Sequence, residues 1–205
     1  MPRPSRAETH LAACDPVLAG WIEALGPCTL RRNRVRDPFV ALVRAVVAQR
    51  VSGAAARTVN ARLERLLGGP PSPAGLLALG PRRLRAAGLP ERKAHAIHTL
   101  ANRVRSGDLP LERIRRAPAP RVRAALTAIP GVGEWTANMF LLFHLARPDV
   151  FPARDLGVRE GIRRGYGLAS RPSAAEALRF SERWAPYRST AAWYLWRSLG
   201  GEAMV

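Results

Sequence analysis

Apolar residues recur at helical spacing through most of the chain, and strict alternation of apolar and polar residues is nowhere sustained. A spacing of three and four residues places side chains on one face of a helix, whereas a strand needs a period of two. Glycine and proline clusters, such as Gly-Gly-Pro-Pro at residues 68–71, divide the pattern into short segments. The sequence therefore predicts an all-α fold.

Helix-capping residues mark where these helices begin. Asp37 before a proline predicts one largely buried helix, and Ser52 predicts a second that runs to about Leu67. Asp15 likewise precedes a proline, as at a helix start. Further helices are expected near residues 76, 82–87, 91–105, 111–116, 120–128, 134, 156–165, 173–185 and 187–199.

Basic residues outnumber acidic ones by 33 to 15, which gives a formal net charge of +18. A charge of this size attracts polyanions, so nucleic acid is the leading expected partner. Coding in a GC-rich organism can also favour arginine and alanine, and composition alone does not decide between the two readings. Lys93 is the single lysine, which leaves few amines for Schiff-base chemistry.

The two cysteines, Cys14 and Cys28, form no CxxC pair and are too few to hold an iron–sulfur cluster. They are typical of thiols in a reducing cytosol. The longest apolar run, residues 139–145, is too short to span a bilayer, and no hydrophobic signal region opens the chain. We therefore expect a cytoplasmic protein without membrane contact, with a monomer as the default.

The segment Ile-Pro-Gly-Val-Gly at residues 129–133 separates two predicted helices. Its glycines permit a positive φ and close approach of backbones, and they leave the amides of the next helical turn pointing outward, where a phosphate can bind. Taken alone, the segment can equally serve as a plain connection between two packed helices.

The surrounding residues resemble the signature of the helix-hairpin-helix superfamily of DNA glycosylases. The resemblance covers residues 126–138 and the Phe-Pro-Ala-Arg-Asp segment at 151–155, and it extends to residues 44–52, residues 183–189 and Trp196. Within the superfamily the sequence looks most like the 3-methyladenine DNA glycosylase II branch. The resemblance implies a two-lobed all-α fold with the active site in a cleft between the lobes.

The resemblance also implies a division of the chain. Residues 1–36 are too few for the N-terminal β domain of some relatives, so this domain is expected to be absent or vestigial, and the segment should pack on the C-terminal lobe. Residues 37–145 should form the lobe that contains the hairpin, and residues 146–205 should complete the second lobe.

Asp155 lies where the family places its catalytic aspartate. An aspartate before Leu-Gly-Val-Arg is also a reasonable helix cap, and both roles can coexist. Alkylation makes a purine cationic and a good leaving group, so one carboxylate can suffice for hydrolysis. We expect a monofunctional enzyme that removes 3-methyladenine, 7-methylguanine and, as a further candidate, 1-methyladenine from duplex DNA. Trp135 occupies the position of the lysine in bifunctional relatives, so we expect no lyase activity.

The resemblance assigns Trp135 and Trp196 to an aromatic pocket for the extruded base, where a cationic base gains about 0.5 to 2 kcal/mol from each ring face. Packing in the core is the alternative for Trp196, and it suits Trp21 and Trp184 better. Met139 and Leu156 replace two pocket aromatics of the family, so the pocket should be more open and activity on neutral bases is left undecided.

The remaining assignments concern the DNA backbone. Arg50 aligns with the side chain that fills the space of the flipped base, and a surface charge is its alternative role. The family's hairpins also bind a monovalent cation through main-chain carbonyls, and no other cofactor is required. The DNA-binding residues implied are Gln49, Arg50, Ser52, Gly131, Val132, Gly133 and Thr136, and the implied Na⁺ or K⁺ ligands are the carbonyls of Thr127, Ile129 and Val132.

Two other classes of function compete with this hypothesis. A non-catalytic DNA-binding module would use the hairpin and the arginines without needing Asp155 or Trp196. A metal enzyme built on His95 and His98 is the third class, but this i,i+3 pair lacks further ligands at metal-binding spacing and is more typical of a solvated helix face.

Overall fold

A computed structural model describes residues 4–30 and 35–200, and every regular element in these ranges is helical. The predicted all-α fold is thus confirmed. A π-helical turn, Phe140–His144, continues the ninth helix, and a 3₁₀ turn, Ser181–Trp184, continues the eleventh. The α-helices are α1 (Arg6–Cys14), α2 (Pro16–Leu25), α3 (Pro38–Val47), α4 (Gly53–Leu67), α5 (Pro73–Ala86), α6 (Glu91–Arg105), α7 (Leu111–Ile114), α8 (Ala119–Thr127), α9 (Glu134–Met139), α10 (Leu156–Gly165), α11 (Ala174–Phe180) and α12 (Arg188–Arg197).

Contacts along the chain group the residues into two compact units. We call residues 35–145 the central unit, and residues 4–30 together with residues 146–200 the terminal unit. Of the segments predicted from sequence, parts of 1–36 and 146–205 lie outside the described residues, namely 1–3, 31–34 and 201–205.

Helix α3 is the most buried helix of the central unit. The Asp37 carboxylate caps it by accepting hydrogen bonds from the backbone amides of Phe39 and Val40, as the Asp-Pro pair predicted. Every residue of α3 except Pro38 and Arg44 is buried, because the helix packs against α4, α6, α7, α9 and the π-helical turn. Each large aliphatic side chain buried here contributes about 1.5 to 3 kcal/mol to folding.

The N-terminal helices belong to the core of the terminal unit. Helix α1 begins with a capping box, in which Ser5 and Glu8 satisfy each other's backbone amides. Sequence analysis did not assign α1, although Ser5-x-x-Glu8 is the signal that could have revealed it. The buried Glu8 carboxylate also accepts hydrogen bonds from the Cys28 amide and the Tyr194 hydroxyl, so the chain start is tied to α12.

Helix α5 contains a break at the position predicted from sequence. Gly80 has a φ of +67° and precedes Pro81, so the α-helical conformation stops and restarts there. The two halves correspond to the short helices expected near residues 76 and 82–87. Within the described ranges, none of the helices combines the length and the apolar composition needed to cross a bilayer.

Candidate active site

Asp155 is the buried N-cap of helix α10 in the terminal unit. Its side chain is 5% exposed, and its Oδ1 atom accepts a hydrogen bond from the Val158 amide at 2.8 Å. The indole nitrogen of Trp196, on α12, donates a second hydrogen bond to the same oxygen at 2.8 Å. Hydrogen bonds to an ionised carboxylate are about twice as strong as neutral ones, so the cap and the indole together fix the direction of the carboxylate.

A glycine makes this arrangement possible. A Cβ atom on Gly157 would lie 3.0 Å from Cδ1 of Trp196 and 3.1 Å from Oδ1 of Asp155. A side chain at position 157 would therefore crowd the contact between the indole and the carboxylate over the first turn of α10. Sequence analysis missed Gly157, because its role depends on a helix that is distant in the chain.

Trp196 was predicted to line a pocket, and the structure adds a second property to it. The ring is 7% exposed, and its N–H group bonds to Asp155. The other predicted pocket residue of the terminal unit, Leu156, is the first residue of α10 and is 60% exposed. Leu156 directly follows Asp155, so this exposed side chain adjoins the candidate catalytic residue in the chain.

The predicted helix-hairpin-helix is present in the central unit, where residues 128–133 join α8 to α9. The Val132 amide donates to the Ile129 carbonyl at 3.0 Å and closes the turn, and Gly131 has a φ of +84°. A Cβ atom on Gly131 would lie 2.6 Å from the Cβ atom of Ala96 on α6. Gly131 is therefore required twice, by its backbone conformation and by its contact with α6.

The other hairpin residues differ in exposure. Gly131 and Gly133 are exposed, whereas Val132, Ile129 and Thr136 are buried. Gly133 begins α9 without a side-chain cap. Thr127, at the end of α8, is exposed.

The segment between α3 and α4 carries the predicted wedge. Arg50 is exposed and has a φ of +54°, a left-handed conformation that costs a residue with a side chain about 1 kcal/mol. Ser52 then caps α4 by accepting a hydrogen bond from the Ala55 amide. A strained backbone conformation such as that of Arg50 persists only where neighbouring contacts impose it.

Gln49 connects this segment to the hairpin. Its Nε2 atom donates to the Gly131 carbonyl at 3.0 Å and to the Thr136 hydroxyl at 2.8 Å. The structure thus brings together Gln49, Gly131 and Thr136, three residues that sequence analysis assigned to DNA binding separately. Thr136 is buried, and its hydroxyl accepts the hydrogen bond from Gln49.

The two predicted pocket residues of the central unit lie on α9. Trp135 is half-buried in the first turn, and Met139 is buried with 2% of its surface exposed. Sequence analysis considered Lys93, on α6, only as a reactive amine. In the structure its ammonium group donates to the carbonyls of Val47 and Gln49 at 2.8 and 2.7 Å. Burial lowers the pKa of Lys93.

Comparison with known proteins identifies the family of this chain. Residues 43–186 match the model of the HhH-GPD superfamily of base excision DNA repair proteins, and the chain belongs to this superfamily. It is 34% identical to DNA-3-methyladenine glycosylase 1 of Schizosaccharomyces pombe, over 95% of this chain and 87% of that protein. It is 32% identical to DNA-3-methyladenine glycosylase 2 of Escherichia coli, over 91% of this chain and 68% of that protein.

A solved structure shows the same fold bound to DNA. The Schizosaccharomyces pombe 3-methyladenine DNA glycosylase in complex with abasic DNA superposes with a TM-score of 0.88 at 33% identity. The superposition covers 96% of this chain and 97% of that one.

Proposed function

We propose that this protein is a monofunctional DNA glycosylase that hydrolyses the N-glycosidic bond of alkylated bases in duplex DNA during base excision repair. The observation that carries the proposal is the buried Asp155 carboxylate, held by Val158 and Trp196, in a chain of this superfamily. The identity of 34% with a DNA-3-methyladenine glycosylase supports 3-methyladenine as a substrate. We propose 7-methylguanine and, as a further candidate, 1-methyladenine because these bases are cationic too.

The reaction needs one carboxylate because the substrate base already carries a positive charge. As the bond between C1′ and the base nitrogen breaks, its electron pair moves to the base, which leaves as a neutral purine. The Asp155 carboxylate stabilises the positive charge that develops on the sugar. A water molecule then adds to C1′ and loses its proton, which completes the hydrolysis. Burial of Asp155 strengthens this electrostatic effect, because little solvent screens the carboxylate.

The proposal excludes strand cleavage by an amine. Trp135 stands in the hairpin where bifunctional relatives have a lysine, and the Lys93 ammonium is hydrogen-bonded to two carbonyls. The product is therefore an intact abasic site. A covalent adduct to Lys93 after borohydride treatment would contradict this part of the proposal.

We further propose that the hairpin binds a DNA phosphate and that Arg50 fills the space of the extruded base. We also propose that the carbonyls of Thr127, Ile129 and Val132 bind a Na⁺ or K⁺ ion. Thr127 is the last residue of α8, where carbonyl oxygens carry partial negative charge, and the other two lie in the turn that follows. When bound, the ion would supply positive charge beside the phosphate. Replacing Na⁺ and K⁺ by tetramethylammonium at constant ionic strength should then weaken duplex binding.

Substrate range, oligomeric state and location complete the proposal. Met139 and Leu156 stand at positions where the family has aromatic residues, so selection should depend on the cationic charge of the base at Trp135 more than on stacking area. The enzyme is proposed to act as a cytoplasmic monomer on duplex DNA. Duplex affinity should fall steeply with salt, as phosphate contacts release counterions.

The decisive experiment measures free bases released from methylated duplex DNA, with each product identified by chromatography. We compare the natural protein with Asp155→Asn and with Asp37→Asn, which changes the same atoms at the N-cap of α3. Release of 3-methyladenine or 7-methylguanine should disappear in Asp155→Asn and persist in Asp37→Asn.

The same experiment separates the proposal from a non-catalytic DNA-binding module. Tight duplex binding without release of any base by the natural protein would favour the module. Release that survives in Asp155→Asn would show that another group performs the chemistry.

A further inference from the structure

The end of α3 is held by the only lysine of the sequence. The Lys93 ammonium donates to the carbonyls of Val47 and Gln49, which flank Ala48 where α3 ends. Carbonyls at a helix C-terminus lack partners within the helix and carry partial negative charge, so a cation is the favourable donor there. Gln49 is the residue immediately before Arg50, and Lys93 therefore anchors the backbone at the start of the strained segment.

The side chain of Gln49 extends this anchor to the hairpin. Its amide donates both to the Gly131 carbonyl and to the Thr136 hydroxyl, at 3.0 and 2.8 Å. One residue thus has its main chain fixed by Lys93 and its side chain fixed by the phosphate-binding turn. These hydrogen bonds fix the residue immediately before Arg50 relative to the hairpin.

Helix α6 supports both ends of this arrangement. Lys93 lies in its first turn, and Ala96, about one turn further on, lies directly beneath Gly131 with no room for a Cβ atom between them. The Arg50 segment and the hairpin are therefore both fixed to the same stretch of α6. All of these contacts lie within the central unit.

The relative position of the two segments matters for extruding a base. Successive nucleotides of one strand are separated by only about 3.4 Å along the helix axis, so a shift of a few ångströms would place Arg50 at the wrong base step when the hairpin holds its phosphate. We propose that Lys93, acting with Gln49, is a positioning residue that fixes the Arg50 segment relative to the hairpin and so sets where the base is extruded. This inference rests on the proposed glycosylase function.

The test compares Lys93→Met, which removes the donors, with Arg105→Met, which removes one positive charge from the exposed far end of α6. Three quantities are measured: affinity for undamaged duplex, the single-turnover rate of base release, and the fluorescence of 2-aminopurine beside an abasic analogue. Fluorescence reports unstacking without any cleavage. Lys93→Met should lower the rate of base release and the fluorescence response about tenfold, while its duplex affinity stays within about twofold of that of the natural protein. Arg105→Met should change neither the rate nor the fluorescence response.

A double-mutant cycle separates positioning from a general structural role. If Lys93 acts through the Arg50 segment, Lys93→Met should cause no further loss of rate in an Arg50→Ala background. Losses that multiply, or a fall in duplex affinity equal to the fall in rate, would overturn the inference.

Lys93→Gln covers the case in which Lys93→Met does not fold. The glutamine amide can still donate to a carbonyl, so Lys93→Gln should recover part of the rate and of the fluorescence response relative to Lys93→Ala. An absence of recovery would count against the inference. If the natural protein released no base, the glycosylase proposal would fail, whereas the fluorescence comparison would still decide the role of Lys93.

Discussion

Asp15 and Asp155 are two buried aspartates of the terminal unit with the same local geometry. Each is the N-cap of a helix, and each accepts a hydrogen bond from a tryptophan indole. At Asp15 the Oδ1 atom caps α2, and the Oδ2 atom accepts from the Tyr166 hydroxyl and the Trp184 indole. At Asp155 the capping bond and the indole bond both end on Oδ1.

Burial and capping alone therefore do not identify a catalytic carboxylate. The two residues are 1% and 5% exposed, so exposure does not separate them either. They differ in where the indole bond ends. At Asp15 the indole donates to Oδ2, the oxygen that does not cap the helix, whereas at Asp155 it donates to Oδ1, the oxygen that also caps α10.

The largest expected effect is on catalysis by Asp155→Asn. Removing the negative charge should lower base release by about a hundred- to a thousand-fold, as for loss of other electrostatic groups that act on a transition state. Stability should change by less than about 1 kcal/mol, because asparagine caps helices as well as aspartate does. Urea unfolding and single-turnover kinetics on one preparation measure both. A large loss of stability would break the contrast with Asp15.

Asp15→Asn should produce the opposite result. The amide can still cap α2, but its NH₂ group would face the indole donor of the fully buried Trp184 and leave that donor without an acceptor. The expected loss is about 2 to 3 kcal/mol of unfolding free energy, measured by urea denaturation. Base release per folded molecule should stay within about twofold of that of the natural protein, since no reacting group is changed. A selective loss of activity would make Asp15 more than a packing residue.

The contact between Trp196 and Asp155 is expected to have an intermediate effect. Trp196→Phe removes the N–H donor, and Gly157→Ala adds a Cβ atom where the indole lies. Each should lower the single-turnover rate about tenfold, because a hydrogen bond to a charged group contributes about 1.5 to 3 kcal/mol.

Gly20→Ala is the matched control for the glycine substitution. Gly20 lies inside α2, and nothing stands within 4 Å of the Cβ position. This variant should keep full activity and be slightly more stable. An active Gly157→Ala variant would show that the indole contact does not orient the carboxylate.

The smallest effect concerns Glu160, a carboxylate of the same unit that lies nearer the surface. Hydrogen bonds from Arg163 and Arg164 lower the pKa of Glu160 from 4.5 to about 2. Because the pKa of Glu160 is lower in the folded state than in the unfolded state, the ionised carboxylate stabilises the fold. This contribution to the unfolding free energy is complete above pH 4.5 and is lost as the pH falls towards 2. The difference in thermal stability between the natural protein and Glu160→Gln should therefore shrink over this window. A difference that is independent of pH would contradict the ion pairing.

Local signals explain which parts of the fold were predictable. Helices α6 and α10 have the predicted bounds, since breakers and caps at both ends define them in the sequence. Trp184 was expected in the core and is fully buried. Helix α1 escaped notice, although its capping box is visible in the sequence.

The candidate site was predictable only where a motif carried it. The roles of Lys93 and Gly157 escaped notice because each depends on a partner distant in the chain: Gln49, after the end of α3, for Lys93, and Trp196 on α12 for Gly157. No periodicity or spacing reports contacts between residues so far apart in the chain. The predicted positions of Asp155 and the hairpin came instead from consecutive residues.

The contact between Gly131 and Ala96 limits how this hairpin can be reused in protein engineering. The glycine-rich turn looks like a portable phosphate-binding peptide of five consecutive residues, 129–133. Its backbone nevertheless rests on a single small residue of α6, and a Cβ atom at position 131 would already approach that of Ala96 to 2.6 Å. A graft onto a new scaffold must therefore carry a second helix with a small residue at the matching position. The transferable unit is discontinuous, and its smallest version includes Ala96, a residue buried beneath the turn.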